Sequence, residues 1–101
     1  MTSTSGQALY FSRLAIPAVW TRAFNPGLWL KQVCVIGFRR SWLLRFAALP
    51  PGPLETQESI DMLRFLEHGI GVRVVPTETE THAVDTPADL QLVESMMAVG
   101  V

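Results

Sequence analysis

A chain of 101 residues and 11.2 kDa has room for one small domain, since single domains run to roughly 50–200 residues. With 49% hydrophobic and 17% charged residues, including three Trp and five Phe, it carries too much apolar surface for a disordered tail. Eight basic against nine acidic residues leave a net charge of -1, which offers no electrostatic footprint for nucleic acid or an anionic membrane.

Residues 1–6 are polar and uncharged, without the basic and apolar regions of a secretory signal, and read as an unstructured lead-in. The remainder, 7–101, reads as a single α/β segment. Ala8, Leu9, Tyr10 and Phe11 form an aromatic-rich run that predicts a buried strand passing into a loop through Ser12, Arg13 and Pro17. From Ala18 to Leu28 the order is irregular, and Asn25-Pro26-Gly27 carries strong turn chemistry. Lys31 to Phe38 is apolar and β-branched without alternation, the pattern of a central strand covered on both faces. Cys34, the single cysteine, falls inside that run and is expected to be a buried, inert thiol in a reduced compartment.

Arg39 to Leu49 gathers Trp42, Leu43, Phe46 and Leu49 on one helical face, and the proline-rich stretch from Pro50 to Pro53 ends it. Leu54 to Glu67 predicts a second helix through Ile60, Leu63 and Leu66, closed by His68-Gly69 as a C-cap. Val72, Val74 and Val75 predict a short strand stopped at Pro76, and Thr77 to Thr81 a loop. Asp85-Thr86-Pro87-Ala88-Asp89-Leu90 supplies an N-cap, a proline at the first turn and an acidic residue, so a last helix should run to about Met97. The expected architecture is therefore α/β, with three or four short strands and three helices. No apolar run approaches the ~20 residues needed to cross a bilayer, so a soluble protein is expected.

Three stretches, in this order, carry a resemblance: Ala8 to Arg13 with Ile16-Pro17, Pro53-Leu54-Glu55 leading into Leu63 to Gly69, and Val84 to Leu90. Together with Gly37-Phe38-Arg39 they make the chain, from Gly6 to about Met97, resemble the C-terminal portion of the 3-deoxy-manno-octulosonate (Kdo) cytidylyltransferase family. The resemblance implies the sugar-binding and dimerisation half of a Rossmann-like nucleotide-diphospho-sugar transferase domain. Such an enzyme couples CTP to an eight-carbon acidic sugar, releasing pyrophosphate and making the activated donor for lipopolysaccharide or capsule synthesis, and works as a cytoplasmic, Mg²⁺-dependent homodimer. The family's triphosphate-holding loop, with its Lys, and a metal-binding Asp belong to its N-terminal half and are not among these residues. The isolated chain is therefore expected to be inactive.

Coupling two anionic reactants requires carboxylates for the metal and cations for the sugar acid. Asp85 has two readings: the resemblance makes it a metal ligand, while position alone makes it the cap of the last helix. Arg13, at a strand end, is placed to clamp the sugar carboxylate in a bidentate fork, and the resemblance points the same way. Gln32 and Asp61 stand at positions that the resemblance assigns to the sugar, where the family usually has His and Glu. Ile36 and Met62 replace the Tyr and Gln beside them and remove hydrogen bonds to a polyhydroxylated ligand. The resemblance thus leaves a related acidic sugar open beside Kdo. His82 reads as an exposed loop residue and His68 as a helix C-terminal imidazole suited to the dipole. A second reading of the chain is a non-catalytic interaction or dimerisation module, anchored by Trp20, Phe24, Trp29 and Trp42.

Overall fold

The computed structural model describes residues 1–100, and helices dominate its regular structure. Helix α1 spans Arg40–Ala48 and stops where Leu49 turns extended (φ -78, ψ 137), as steric crowding from the following proline demands. Its predicted apolar face packs in part: Phe46 lies edge-on against Phe65 with ring centroids 5.1 Å apart and Trp42 meets the same ring at 6.1 Å, while Leu43 stays exposed. Phe38, just before the helix, closes the cluster against Phe46 and Phe65.

The expected helix over Leu54–Glu67 is two helices instead, α2 (Pro53–Glu58) and α3 (Leu63–Glu67). Ser59 sits between them in the left-handed region (φ 54, ψ 48), a conformation that costs about 1 kcal/mol or more for a residue with a Cβ. Tertiary contacts outweigh that cost. The reversal brings Arg64 onto Glu55 and Glu67 back onto the first turn of α2, which no straight helix could do. Leu63 is fully enclosed there, with Met62, Phe65 and Glu55 also buried. Gly69, at φ +73, ends α3 with Ile70 N–H bonded to the Phe65 carbonyl at 2.9 Å, the predicted left-handed C-cap.

Helix α4 spans Pro87–Ala98. Its cap is Thr86 rather than Asp85: the Thr86 hydroxyl accepts from Asp89 N–H at 3.2 Å, and the Asp89 carboxylate accepts from Thr86 N–H at 2.9 Å. This reciprocal box satisfies two orphan donors at once. A 3₁₀ turn at Pro26–Leu28, capped by Asn25, fulfils the turn chemistry read there.

The strands are where the α/β expectation needs correction. Among the described residues no ladder forms, only two isolated antiparallel bridges, Thr2 with Ala8 and Gln7 with Arg73. The segments predicted around Ala8 and Val72 do meet, through Ala8 N–H to the Val72 carbonyl (2.8 Å) and Val74 N–H to the Gly6 carbonyl (2.9 Å). They separate within two residues. Residues 1–6, expected to be free, form the turn that feeds this contact, with Ser3 N–H on the Gln7 carbonyl (2.8 Å) and Gly6 at φ +82. Lys31–Phe38 forms no regular secondary structure and no backbone pairing with the other described residues, Cys34 takes a φ of 64, and its thiol is exposed rather than buried. The radius of gyration is 16.4 Å, against about 13 Å for a compact 100-residue domain. Large apolar side chains outside the α1–α3 centre consequently remain in solvent, Trp20 at 96% exposure among them.

Candidate functional site

Arg13 is the best-placed of the sequence-predicted site residues. Its Nε donates to the Glu58 carbonyl at 2.9 Å and its Nη2 to the Ser59 carbonyl. Those two carbonyls are available because the chain leaves the helical ladder at Ser59. The Glu58 carboxylate faces the same strip of chain: it accepts from Arg13 N–H at 2.9 Å, from the Tyr10 hydroxyl at 3.2 Å and from Ser12 Oγ at 3.4 Å. Burial, then the hydrogen bond and charge of Glu58, raise the Tyr10 phenol above its usual 10.0. The Ala8–Arg13 motif and the helix pair are therefore one unit, although over forty residues separate them.

Beside this unit lies a cleft of about 260 Å³ between residues 10–16 and 29–32. Gln32, Lys31 and Ser12 give it polar walls, and Trp29 and Leu30 apolar ones. Trp29, on its wall, donates from Nε1 to the Pro17 carbonyl at 2.9 Å. Gln32 lines this cleft together with Ser12 and Leu14, the chain neighbours of Arg13, whereas Arg13 itself is turned to the α2–α3 turn and is not part of the lining. Asp61 is exposed in the turn that follows Ser59, two residues from the Arg13 anchor. Met62, its neighbour, is buried in the α2–α3 core, so that position serves packing.

Asp85 stands apart, exposed in the approach to α4. Its N–H donates to Asp89 at 3.2 Å, and its own carboxylate is left out of the capping box. Among the described residues no cluster of three or more His, Cys, Asp or Glu side chains could hold a metal ion. Asp85 alone offers one carboxylate arm to a metal, not a site. His68 bonds the Arg64 carbonyl through Nδ1 at 2.8 Å, at the end of α3 where it was expected.

Sequence reading missed the polar scaffold. Arg64 forms a bidentate pair with Glu55, Nη2 to Oε1 at 2.7 Å and Nε to Oε2 at 2.8 Å. It also donates to the Phe46 carbonyl at 3.2 Å and lies over the Phe46 ring at 4.3 Å. The Arg64 hydrogen bonds hold the Glu55 pKa below the usual carboxylate value against the opposing effect of burial. A signal was present: Glu55, Arg64 and Glu67 belong to a motif singled out for resemblance, and a helix broken near Ser59 puts all three on facing sides.

No protein-family model matches the chain. Curated relatives do. It is 44% identical to the 3-deoxy-manno-octulosonate cytidylyltransferase of Syntrophobacter fumaroxidans over 92 residues, which is 91% of this chain and 37% of that protein. Against the protein of that name from Solibacter usitatus the identity is 40% over 101 residues, 100% of this chain and 40% of the relative. The Myxococcus xanthus protein of the same name gives 42% over 93 residues, or 92% and 37%. The class these matches define is that of the nucleotidyltransferases. Within it, the chain belongs to the 3-deoxy-manno-octulosonate cytidylyltransferase family, and it spans about two fifths of the length of these curated relatives.

Proposed function

We propose that these residues are the sugar-facing, dimer-forming part of a cytoplasmic cytidylyltransferase that transfers CMP from CTP to Kdo or a related acidic sugar, releasing pyrophosphate and making the activated sugar for lipopolysaccharide or capsule synthesis. The observation that carries this reading is the identity of 40–44% to relatives of that name along nearly the whole chain. The site supports it chemically. Arg13 offers an un-neutralised guanidinium for a sugar carboxylate, while Gln32, with Ser12 and Lys31, gives the neighbouring cleft groups suited to hydroxyls. Asp61, exposed two residues beyond the Ser59 carbonyl that holds Arg13, supplies a further acceptor.

Asp85 would be one ligand of a Mg²⁺ ion whose other ligands lie outside these residues. When bound, the ion neutralises charge on the transferring phosphate. These 101 residues carry no glycine-rich phosphate loop, so the chain alone should bind sugar without turning it over. The apolar Ile36 and the buried Met62 withhold two polar contacts, which favours an acidic sugar with a different hydroxyl pattern. A second reading, an interaction or dimerisation module derived from this family, draws on the exposed aromatics, Trp20 above all.

Isothermal titration of the chain with Kdo and with CMP-Kdo, with and without Mg²⁺, tests the proposal. Sugar binding weakened by Arg13→Ala, with a Mg²⁺ dependence weakened by Asp85→Asn, is the expected result. A folded chain that binds neither ligand refutes the sugar-site reading and leaves the interaction module. CMP-sugar formation by the chain alone would overturn the prediction that it lacks turnover.

A further inference from the structure

We propose that Glu58 is a positioning residue for Arg13, fixing its guanidinium against the α2–α3 turn so that the outer edge is presented to the sugar acid. The inference rests on the sugar-site reading above for its purpose, though not for its geometry.

A guanidinium carries five N–H donors. In Arg13 one on Nε and one on Nη2 are engaged by the carbonyls of Glu58 and Ser59. The other three, which include the Nη1–Nη2 edge that suits a bidentate carboxylate, have no partner among the described residues. What holds this arrangement is the Glu58 side chain. It gathers three donors from residues 10–13, namely the Tyr10 hydroxyl, Ser12 Oγ and Arg13 N–H, onto the last turn of α2.

The division of labour matters. The Glu58 carboxylate is satisfied by neutral donors, and the guanidinium by carbonyls. The two charges do not pair; the ion pair among the described residues is Glu55–Arg64. An Arg held by a carboxylate would have to exchange it for the sugar's carboxylate. An Arg held by carbonyls keeps its charge for the ligand and has already lost its rotamer freedom, and pre-ordering of this kind is worth about tenfold in affinity.

The test uses the full 101-residue chain as wild type, Glu58→Gln, Arg13→Ala and the double variant, each checked by far-UV circular dichroism. Glutamine keeps the shape and one carbonyl oxygen but loses an acceptor. Three readouts follow. Tyr10 is the single tyrosine, so phenolate absorbance reports the hub directly, and its titration should move down toward the ordinary value in Glu58→Gln. Exchange of the Arg13 Nε proton, followed by NMR, should accelerate. Kdo should bind about tenfold more weakly, with no further loss when Glu58→Gln is added to Arg13→Ala. Unchanged Nε proton exchange, or losses that simply add, overturns the inference. A wild-type chain that binds no Kdo refutes the sugar-site reading itself, and the exchange rate then decides alone whether Glu58 positions Arg13.

Discussion

Gly52 offers a test of how the helix pair is built, because the glycine supplies space and not conformation. Its backbone is ordinary extended chain (φ -92, ψ 176), which alanine adopts without strain. A Cβ there, however, would fall onto the Glu67 carboxylate, closer than real Cβ contacts allow. Glu67 holds the open end of α2 by accepting Leu54 N–H at 2.8 Å and Glu55 N–H at 3.0 Å, where a negative charge is also favoured by the helix dipole. Gly52→Ala should push that side chain away. Water can replace it in part at the exposed Leu54, so the net loss should be about 1–2 kcal/mol, which for a chain of this size is roughly a 5–15 °C fall in Tm. In a Glu67→Ala background nothing remains to displace. The reduced backbone entropy of alanine then roughly offsets its poorer capping, and the same substitution should cost within about 0.5 kcal/mol of zero. Urea unfolding followed by circular dichroism gives all four stabilities. Equal losses in both backgrounds would show that the alanine acts on something other than Glu67, and the proposed cap would be wrong.

Further outcomes follow from the same structure. The Thr86 side chain, and then the backbone N–H groups of Asp85 and Thr86, hold the Asp89 carboxyl below its usual 3.8. A depressed carboxyl stabilises the fold above its unfolded value and loses that contribution as pH falls through the folded one. Helicity from α4 should therefore decline as the pH drops below about 3.8, and Asp89→Asn should be lower in helicity at neutral pH and flat across that range. An ellipticity titration that is unchanged by the substitution argues against the capping box. Cys34, exposed in the unpaired segment, should react with a disulfide reagent in the native chain at a rate close to that of the unfolded one. Strong protection would mean that the segment is covered in solution.

What could be read from the sequence divides along the range of the interactions. Helix bonds close within four residues, and so α1, the Gly69 cap and the start of α4 follow from local spacing. Thr86 rather than Asp85 became the cap because Asp89 lies three residues beyond Thr86, the separation the reciprocal box requires. The Ser59 break was hidden because its cause is distant: Arg64 with Glu55, Glu67 with the α2 amides and Arg13 with two carbonyls together outweigh a residue-level preference for helix. Of the candidate site, Arg13 was legible as a cation at a segment end. The Glu58 hub that orders it joins residues over forty apart, and no local pattern announces it.

The strands obey the opposite logic. Lys31–Phe38 has the composition of a buried strand, and composition records the surface a segment is suited to, not the neighbour that provides it. Its backbone donors and acceptors need a partner chain, and two-stranded contacts as brief as the one between residues 6–8 and 72–74 are too short to supply one. On the proposed reading that partner belongs to the remaining three fifths of the family's length, which this chain does not span. The exposed Cys34, the open Trp20 and the large radius of gyration then have one cause. Burying Val33, Val35 and Ile36 beneath the rest of such a sheet would return on the order of 1.5–3 kcal/mol for each side chain fully covered. The cleft shares Lys31 and Gln32 with that segment, so on the proposed reading its final shape depends on the same pairing. Arg13 depends instead on the helix pair, and that is why it is the part of the site expected to keep its geometry in the chain alone.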